Sequence, residues 1–279
     1  MSRYPALFER LKSSNEGAFV PFVMLGDPTK QDSIAIIEAL IAGGADALEL
    51  GVPFSDPVAD GPTIQAAHIR ALDAHIDVDT ALSIVRTIRD KHPDLPIGLL
   101  IYGNVPFARG LDTFYTDVAQ AGADSVLLPD IPVREGAPFT TAARAAGIDQ
   151  IFIAPPHASE ATLEGVAANS TGYIYAVSRV GVTGAEHASS TDGLKDVVDN
   201  LTRFGGAPAL LGFGISTPEH VAAAIAAGAA GAISGSAVTK IVEKHCTGES
   251  PNARSIDDQQ AMCQELTDYV AAMKAATRS

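Results

Sequence analysis

The chain has 279 residues, of which 47% are hydrophobic, and its formal net charge is −14 at pH 7. This length and apolar fraction suffice for one large domain, and an α/β barrel of about 250 residues is a common solution. The acidic balance argues against nucleic acid or an anionic membrane as a partner, because both bind clustered Lys and Arg.

The N-terminal segment, MSRYPALFERLKSSNEG, predicts a short amphipathic helix. Leu7, Phe8 and Leu11 share one face of it, and the segment lacks the apolar core of a signal peptide. Later apolar stretches, such as residues 207–213, are much shorter than the roughly 20 residues of a membrane helix. We therefore expect a cytoplasmic protein.

Short apolar runs alternate with longer helical patterns along the rest of the chain. Eight runs predict strands: Phe19–Leu25, Ala45–Leu50, Ile97–Tyr102, Ser125–Leu128, Gln150–Ala154, Tyr173–Val177, Ala209–Phe213 and Ala230–Ser234. Helical patterns lie between and after them, at Lys30–Ala42, Ile64–Leu72, Thr80–Asp90, Leu111–Gln120, Gly136–Ala145, Glu160–Ala168, Gly193–Arg203, Pro218–Ala227 and Ala237–Lys244. This alternation predicts a closed (β/α)8 TIM barrel rather than an open doubly wound sheet, which usually has fewer repeats.

A repeated helix-to-strand joint supports the barrel. A glycine ends the helix shortly before the strand at Gly44, Gly122, Gly147 and Gly228, where it can adopt the left-handed conformation. A last helical pattern, Asp257–Ala276, follows a polar loop. We predict a single domain, residues 1–279, with an extra N-terminal helix and an extra C-terminal helix.

The stretch LELGVPFSDPVADGPTIQ holds two candidate catalytic acids. Glu49 alternates with Leu48 and Leu50 in the second strand, so its carboxylate points away from theirs. An apolar barrel interior would raise the pKa of Glu49 and suit it to acid/base chemistry, although a purely structural Glu could bond a tyrosine or the backbone there. Asp60, before Gly-Pro, is either a second catalytic acid or ordinary turn chemistry.

Glycine-rich turns after the last three strands suggest a phosphate site. They contain Gly181 and Gly184, Gly212 and Gly214, and Gly235 with Ser236, while residues 216–219 read as a helix N-terminus. Backbone N–H groups exposed at such turns bind phosphate in barrel enzymes. The alternative is that glycine merely permits tight turns.

The sequence lacks the residue patterns that several catalytic mechanisms require. No lysine closes a predicted strand, the histidines form no HxH or HExxH pair, and no GxGxxG follows the first strand. Schiff-base, metal and dinucleotide mechanisms are therefore disfavoured, and we predict no metal. Cys246 and Cys263 read as ordinary side chains in an intracellular protein.

Carboxylate acid/base chemistry on a phosphorylated substrate remains. Apolar and aromatic residues on five strands predict a pocket for a flat apolar group: Phe22, Leu100, Leu127, Ile153 and Tyr175.

These residues resemble the tryptophan synthase alpha chain family. The likeness rests on LELGVPFSDPVADGPTIQ and extends through PFVMLGDP, LLPDIPVRE, IFIAPP, YIYAVSRVGVTGA, GFGIS and ISGSAV. It implies a (β/α)8 barrel that cleaves indole-3-glycerol phosphate to indole and glyceraldehyde 3-phosphate. By resemblance, Glu49 protonates indole C3 and helps activate the glycerol hydroxyl, and Asp60 accepts from the indole N–H.

The resemblance also implies the other site residues. Phosphate would rest on Gly184, Gly214, Gly235 and Ser236, and Thr183 would contact Asp60 when its loop closes. Pro129 departs from the small residue that is common in the family at that position, which affects only the pocket wall.

A partner chain is implied as well. The family pairs with a pyridoxal-phosphate beta chain in an α2β2 heterotetramer, through a region that matches Pro53–Asp60. No cofactor is expected in this chain.

Two alternatives remain at this point. Another barrel enzyme, such as a sugar-phosphate isomerase or a thiamine-phosphate-type synthase, would share the phosphate turns without requiring Asp60. A catalytically weak barrel could instead serve mainly to bind and activate a partner subunit.

Overall fold

The computed structural model describes residues 2–177 and 193–278. Its main sheet is parallel, with the strand order β5-β4-β3-β2-β1-β9-β8-β7-β6. The strands are β1 Ala18–Met24, β2 Leu48–Gly51, β3 Ile97–Leu100, β4 Ser125–Leu127, β5 Asp149–Ile151, β6 Ile153–Ala154, β7 Ile174–Val177, β8 Ala209–Gly212 and β9 Gly231–Ser234.

The predicted fifth strand is divided into β5 and β6 at Phe152. The Phe152 N–H donates to the Ser170 hydroxyl at 3.2 Å instead of joining a ladder. The two ends of the sheet are therefore consecutive in the chain. Backbone bonds from Thr171 to Gln150 and from Tyr175 to Phe152 connect this position to the next one. The predicted (β/α)8 barrel is confirmed.

Helices lie outside the strands. They are α1 Tyr4–Ser14, α2 Lys30–Ala42, α3 Pro62–Asp73, α4 Val78–Lys91, α5 Asn104–Arg109, α6 Leu111–Ala121, α7 Ala137–Ala146, α8 Glu160–Asn169, α9 Leu194–Arg203, α10 Pro218–Ala226, α11 Ser236–His245 and α12 Gln259–Ala275. None in the described residues is long and apolar enough to cross a membrane.

The glycines of the repeated joint all have positive φ, of 97°, 89°, 73° and 96° at Gly44, Gly122, Gly147 and Gly228.

Three features were absent from the sequence prediction, one of them a short 3-10 helix at Val133–Glu135. Helix α5 is short and contains Pro106 between Gly103 and Gly110, so it reads as a loop. The polar segment before α12 is bounded by a small antiparallel pair, β10 Cys246–Thr247 and β11 Ser255–Ile256. None of these features changes the barrel.

Helix α1 closes the N-terminal end of the barrel. Tyr4, Leu7 and Leu11 are buried against side chains of the barrel interior, and the Tyr4 hydroxyl lies 2.9 Å from Ser125 Oγ. Gly98 makes room for this contact, because an added Cβ would lie 2.7 Å from Ser125 Oγ. The opposite, C-terminal end is left for the site.

Candidate active site

One cavity opens at the C-terminal end of the barrel. It brings together residues that the sequence placed in three separate sets: the acids Glu49 and Asp60, the apolar group Phe22, Leu100, Leu127, Ile153 and Tyr175, and the turn residues Gly214, Gly235 and Ser236. Pro129 also lines it. Thr183 and Gly184 lie outside the described residues.

Glu49 lies on β2 and points into the barrel. In the parallel registers it stands beside Phe22 on β1 and Gly98 on β3, and it is 1% exposed. The Tyr173 hydroxyl donates to Glu49 Oε1 at 2.9 Å. Burial raises the pKa of Glu49 to about 7, partly offset by the Tyr173 hydrogen bond, and the charge of Asp60 adds to the increase.

Asp60 ends the loop between β2 and α3 and is 4% exposed. Its Oδ2 accepts a hydrogen bond from the Tyr102 hydroxyl at 2.7 Å and lies 3.2 Å from His68 Nε2. The Ala59 N–H donates to the same Tyr102 hydroxyl at 3.1 Å. The carboxylate is therefore held by side chains of β3's C-terminal extension and of α3.

Aromatic and aliphatic side chains form the wall between the acids and the glycine turns. Tyr175 and Phe213 meet edge to face, with ring centroids 6.2 Å apart. Phe213 has a φ of 68°, an unusual conformation for a bulky residue, and such conformations cluster at functional sites. Gly212 does not line the cavity. Its missing Cβ makes room for the Tyr175 ring, which would otherwise lie 2.2 Å away.

The glycine turns meet a helix N-terminus at the cavity. Helix α11 begins at Ser236, directly after Gly235, and Gly214 has a φ of 75°. The N–H groups of a first helical turn have no intrahelical acceptor, so they favour an anion. The helix predicted near residues 216–219 is α10, whose first turn is capped by its own Thr217.

Three residues that hold the acids were not singled out from the sequence: Tyr102, Tyr173 and His68. Tyr173 could have been found, because strand alternation places it on the same side as Tyr175. Tyr102 ended a predicted strand. His68 had no signal beyond lying on the helix that follows Asp60.

The described residues support neither of the two other chemistries that the sequence raised, metal binding and reactive cysteines. No group of three or more His, Cys, Asp or Glu among residues 2–177 and 193–278 could hold a metal ion. Cys246 and Cys263 are free thiols. Burial raises the pKa of Cys246 to about 11, so its thiol is not activated.

Comparison with known proteins covers the whole chain. A family profile described as tryptophan synthase alpha chain matches residues 8–277. The tryptophan synthase alpha chain of Corynebacterium efficiens is 65% identical over 278 residues, which cover 100% of this chain and 99% of that protein.

Solved structures agree. Tryptophan synthase subunit alpha from Legionella pneumophila is 30% identical, with a TM-score of 0.84 over 99% of this chain and 98% of that one. A chain of the tryptophan synthase complex from Pyrococcus furiosus is 31% identical, with a TM-score of 0.78 over 93% and 98%.

Proposed function

The chain belongs to the tryptophan synthase alpha chain family, the lyases that cleave indole-3-glycerol phosphate in tryptophan biosynthesis, and we propose that Glu49 and Asp60 carry out this cleavage. The observation that supports these roles most directly is a buried carboxyl with a pKa near neutrality in the same cavity as a second acid and a helix N-terminus.

Glu49 acts as both acid and base. With a pKa of about 7, it is present in both protonation states at neutral pH, which favours proton transfer in either direction. It gives a proton to C3 of the indole ring and takes the proton of the glycerol hydroxyl next to the breaking bond. As that hydroxyl becomes the aldehyde of glyceraldehyde 3-phosphate, the electrons of the carbon–carbon bond return to the ring and indole leaves.

Asp60 stabilises the ring in its protonated form. Protonation at C3 places positive charge on the indole nitrogen, and a carboxylate that accepts from its N–H offsets that charge where it develops. The Tyr102 hydroxyl holds this carboxylate by a hydrogen bond before substrate arrives. The ring then rests against Phe22, Leu100, Leu127, Ile153 and Tyr175.

The phosphate is bound at the opposite side of the cavity. Gly214, Gly235 and Ser236 offer backbone N–H groups and a hydroxyl beside the start of α11. Gly184 is proposed as a fourth contact, and Thr183 as the loop residue that meets Asp60 on closure. Holding both ends of the substrate aligns the scissile bond with Glu49.

We also propose a partner and a compartment. The alpha chain family has no cofactor of its own, and pyridoxal phosphate is assigned to a beta chain that receives the indole in an α2β2 heterotetramer. Residues 53–60 are the proposed contact. Support comes from a relative solved as a tryptophan synthase complex and from Val58, which is 74% exposed on that loop. The proposed compartment is the cytoplasm.

The test measures indole and glyceraldehyde 3-phosphate from indole-3-glycerol phosphate, with the purified chain alone and with a beta chain. We expect cleavage by the wild type and a kcat about a thousandfold lower for Glu49→Gln, because the amide cannot transfer the proton. Activation by the beta chain would support the proposed partnership.

Two results would contradict the proposal. A Glu49→Gln variant with wild-type kcat would remove Glu49 from the mechanism. Absence of cleavage under both conditions would reopen the sugar-phosphate and partner-activation alternatives.

A further inference from the structure

We propose that His68 is a positioning residue that fixes the orientation of the Asp60 carboxylate, and that it does so by linking the two ends of the loop after β2. The inference rests on the catalytic role proposed for Asp60. It adds a residue of α3 that reaches Asp60 through one ring nitrogen and the start of the loop through the other.

The hydrogen bonds determine which His68 nitrogen carries the proton. The Phe54 N–H donates to His68 Nδ1 at 3.0 Å. A backbone N–H is always a donor, so Nδ1 is unprotonated and the neutral ring carries its hydrogen on Nε2. Nε2 lies 3.2 Å from Asp60 Oδ2, so His68 donates to the carboxylate.

Two side chains of the described residues reach the same oxygen of Asp60. Tyr102 donates to Oδ2 at 2.7 Å, and His68 approaches the same atom from α3. Two donors from different elements fix the plane of a carboxylate better than one, because rotation about the Cβ–Cγ bond would break both bonds. A carboxylate held in this way needs no reorganisation in the transition state.

Burial makes these bonds consequential. The side chains of His68 and Asp60 are 2% and 6% exposed, so water cannot readily replace a lost donor, and an unpaired buried polar atom is costly. The ring is also packed in place: the Tyr102 ring lies 6.2 Å from His68 and stacks on Phe54 at 5.2 Å.

His68 therefore connects the loop at both of its ends. Phe54 lies at the start of the loop and Asp60 at its end, and His68 bonds both from a helix that packs on the barrel. A change in the backbone at Phe54 would move the ring, and with it the direction of the hydrogen bond to Asp60. The direction of the carboxylate is thus tied to the conformation of residues 53–60.

Three substitutions separate the two bonds. Gln can place an amide N–H near the position of Nε2 and so keep the donor to Asp60, whereas Asn can place a carbonyl near Nδ1 and keep only the acceptor for Phe54. Leu keeps neither. We expect kcat for indole-3-glycerol phosphate cleavage to fall about tenfold or more in His68→Leu and His68→Asn, with a smaller change in KM. His68→Gln should recover most of the loss.

Two controls exclude general destabilisation and failure of the underlying mechanism. Val85→Ala, on the buried face of α4, removes core contacts away from the cavity and should keep wild-type kcat. Asp60→Asn should be nearly inactive. If it retains wild-type kcat, the catalytic role of Asp60 fails. If it is inactive while His68→Leu keeps wild-type kcat, only the role of His68 fails.

A second readout does not depend on activity or on variants that fold poorly. Nitrogen-15 NMR of histidine-labelled wild-type protein should show His68 as the neutral ring protonated at Nε2. Protonation at Nδ1 instead would overturn the proposal. Equal losses of kcat in the Gln and Asn variants would also overturn it, because they would point to packing and not to the donor.

Discussion

The two ends of the barrel bury carboxylates in opposite ways. At the N-terminal end, Asp124 accepts hydrogen bonds from Arg3 and Arg89, each at 2.8 Å, and from the Ile97 N–H at 2.9 Å. Asp46 is built similarly, with ion pairs to Arg10 and Lys274. Asp124 and Asp46 are each paired with two cations, and each also accepts a backbone N–H, from Ile97 and Phe19.

At the C-terminal end, the described side chains that bond the cavity acids are two tyrosines and a histidine. Glu49 accepts from a tyrosine hydroxyl, and no Lys or Arg among the described residues forms an ion pair with it. Burial raises the pKa of Glu49 to about 7, because the hydrogen bond from Tyr173 offsets only part of the effect. The nearby ion pair of Asp27 and Arg70, at 2.7 Å, lies outside the cavity lining. A buried carboxylate without a cationic partner is easier to protonate than one held in an ion pair, which suits Glu49 to its proposed role in proton transfer.

The largest expected effect is on stability, from a substitution at the N-terminal end of the barrel. Asp124→Asn removes the charge and turns an N–H group toward Arg3 and Arg89, which leaves two cations without their carboxylate. Breaking a buried pair from one side costs about 3 kcal/mol or more. We expect the free energy of unfolding, measured by urea titration, to fall by that amount while kcat stays within about twofold of the wild type.

The outcome that contradicts this reading is a variant with normal stability and reduced kcat. It would mean that Asp124 influences the cavity, on the far side of the barrel, and the division between the two ends would fail.

The corresponding substitution at the C-terminal end, Glu49→Gln, should raise the free energy of unfolding instead of lowering it. The pKa of Glu49 is 4.5 when unperturbed and about 7 in the folded protein. The folded state thus keeps a proton that the unfolded state releases, and stability falls as pH rises from below 4.5 to above 7. Glu49→Gln removes this penalty.

We therefore expect Glu49→Gln to be more stable than the wild type at pH 8 by up to about 3 kcal/mol, the free energy that corresponds to the full pKa displacement. The gain should be much smaller near pH 5, because the penalty builds up as pH rises from the unfolded pKa of 4.5 to the folded pKa of about 7, and pH 5 is near the start of that range. Urea titrations of both proteins across this range measure it. A gain that does not depend on pH would show that Glu49 is not the titrating group.

The sequence predicted the barrel and its acids because both depend on local patterns. Alternation within Leu48, Glu49 and Leu50 was enough to aim the carboxylate inward, and the glycine joints marked where helices end. The division at Phe152 was not predictable, since it depends on a hydrogen bond to Ser170, which is distant in sequence.

The partners of the acids were harder to predict for the same reason. Tyr173 and Glu49 are 124 positions apart, and Tyr102 and Asp60 are 42 apart. These contacts arise from closure of the barrel and from its strand register, which single-strand patterns do not specify. A histidine on a helix, such as His68, carries no sign of which nitrogen meets a carboxylate. The roles of all these residues in the reaction remain predictions.

The smallest expected effect concerns the hydroxyl that holds Glu49. Tyr173→Phe removes a hydrogen bond to the charged form of Glu49, so the pKa of Glu49 should move up from about 7. A bond of that type is worth about 1.5 kcal/mol, or roughly one pH unit. Carbon-13 NMR of labelled Glu can follow the titration, with the signal assigned by its loss in Glu49→Gln. Tyr115→Phe is the matched control, because its hydroxyl donates to Gln150. If the pKa stays near 7 in Tyr173→Phe, the Tyr173 hydroxyl does not influence it. The partner of Glu49 would then not contribute to the difference between the two ends of the barrel.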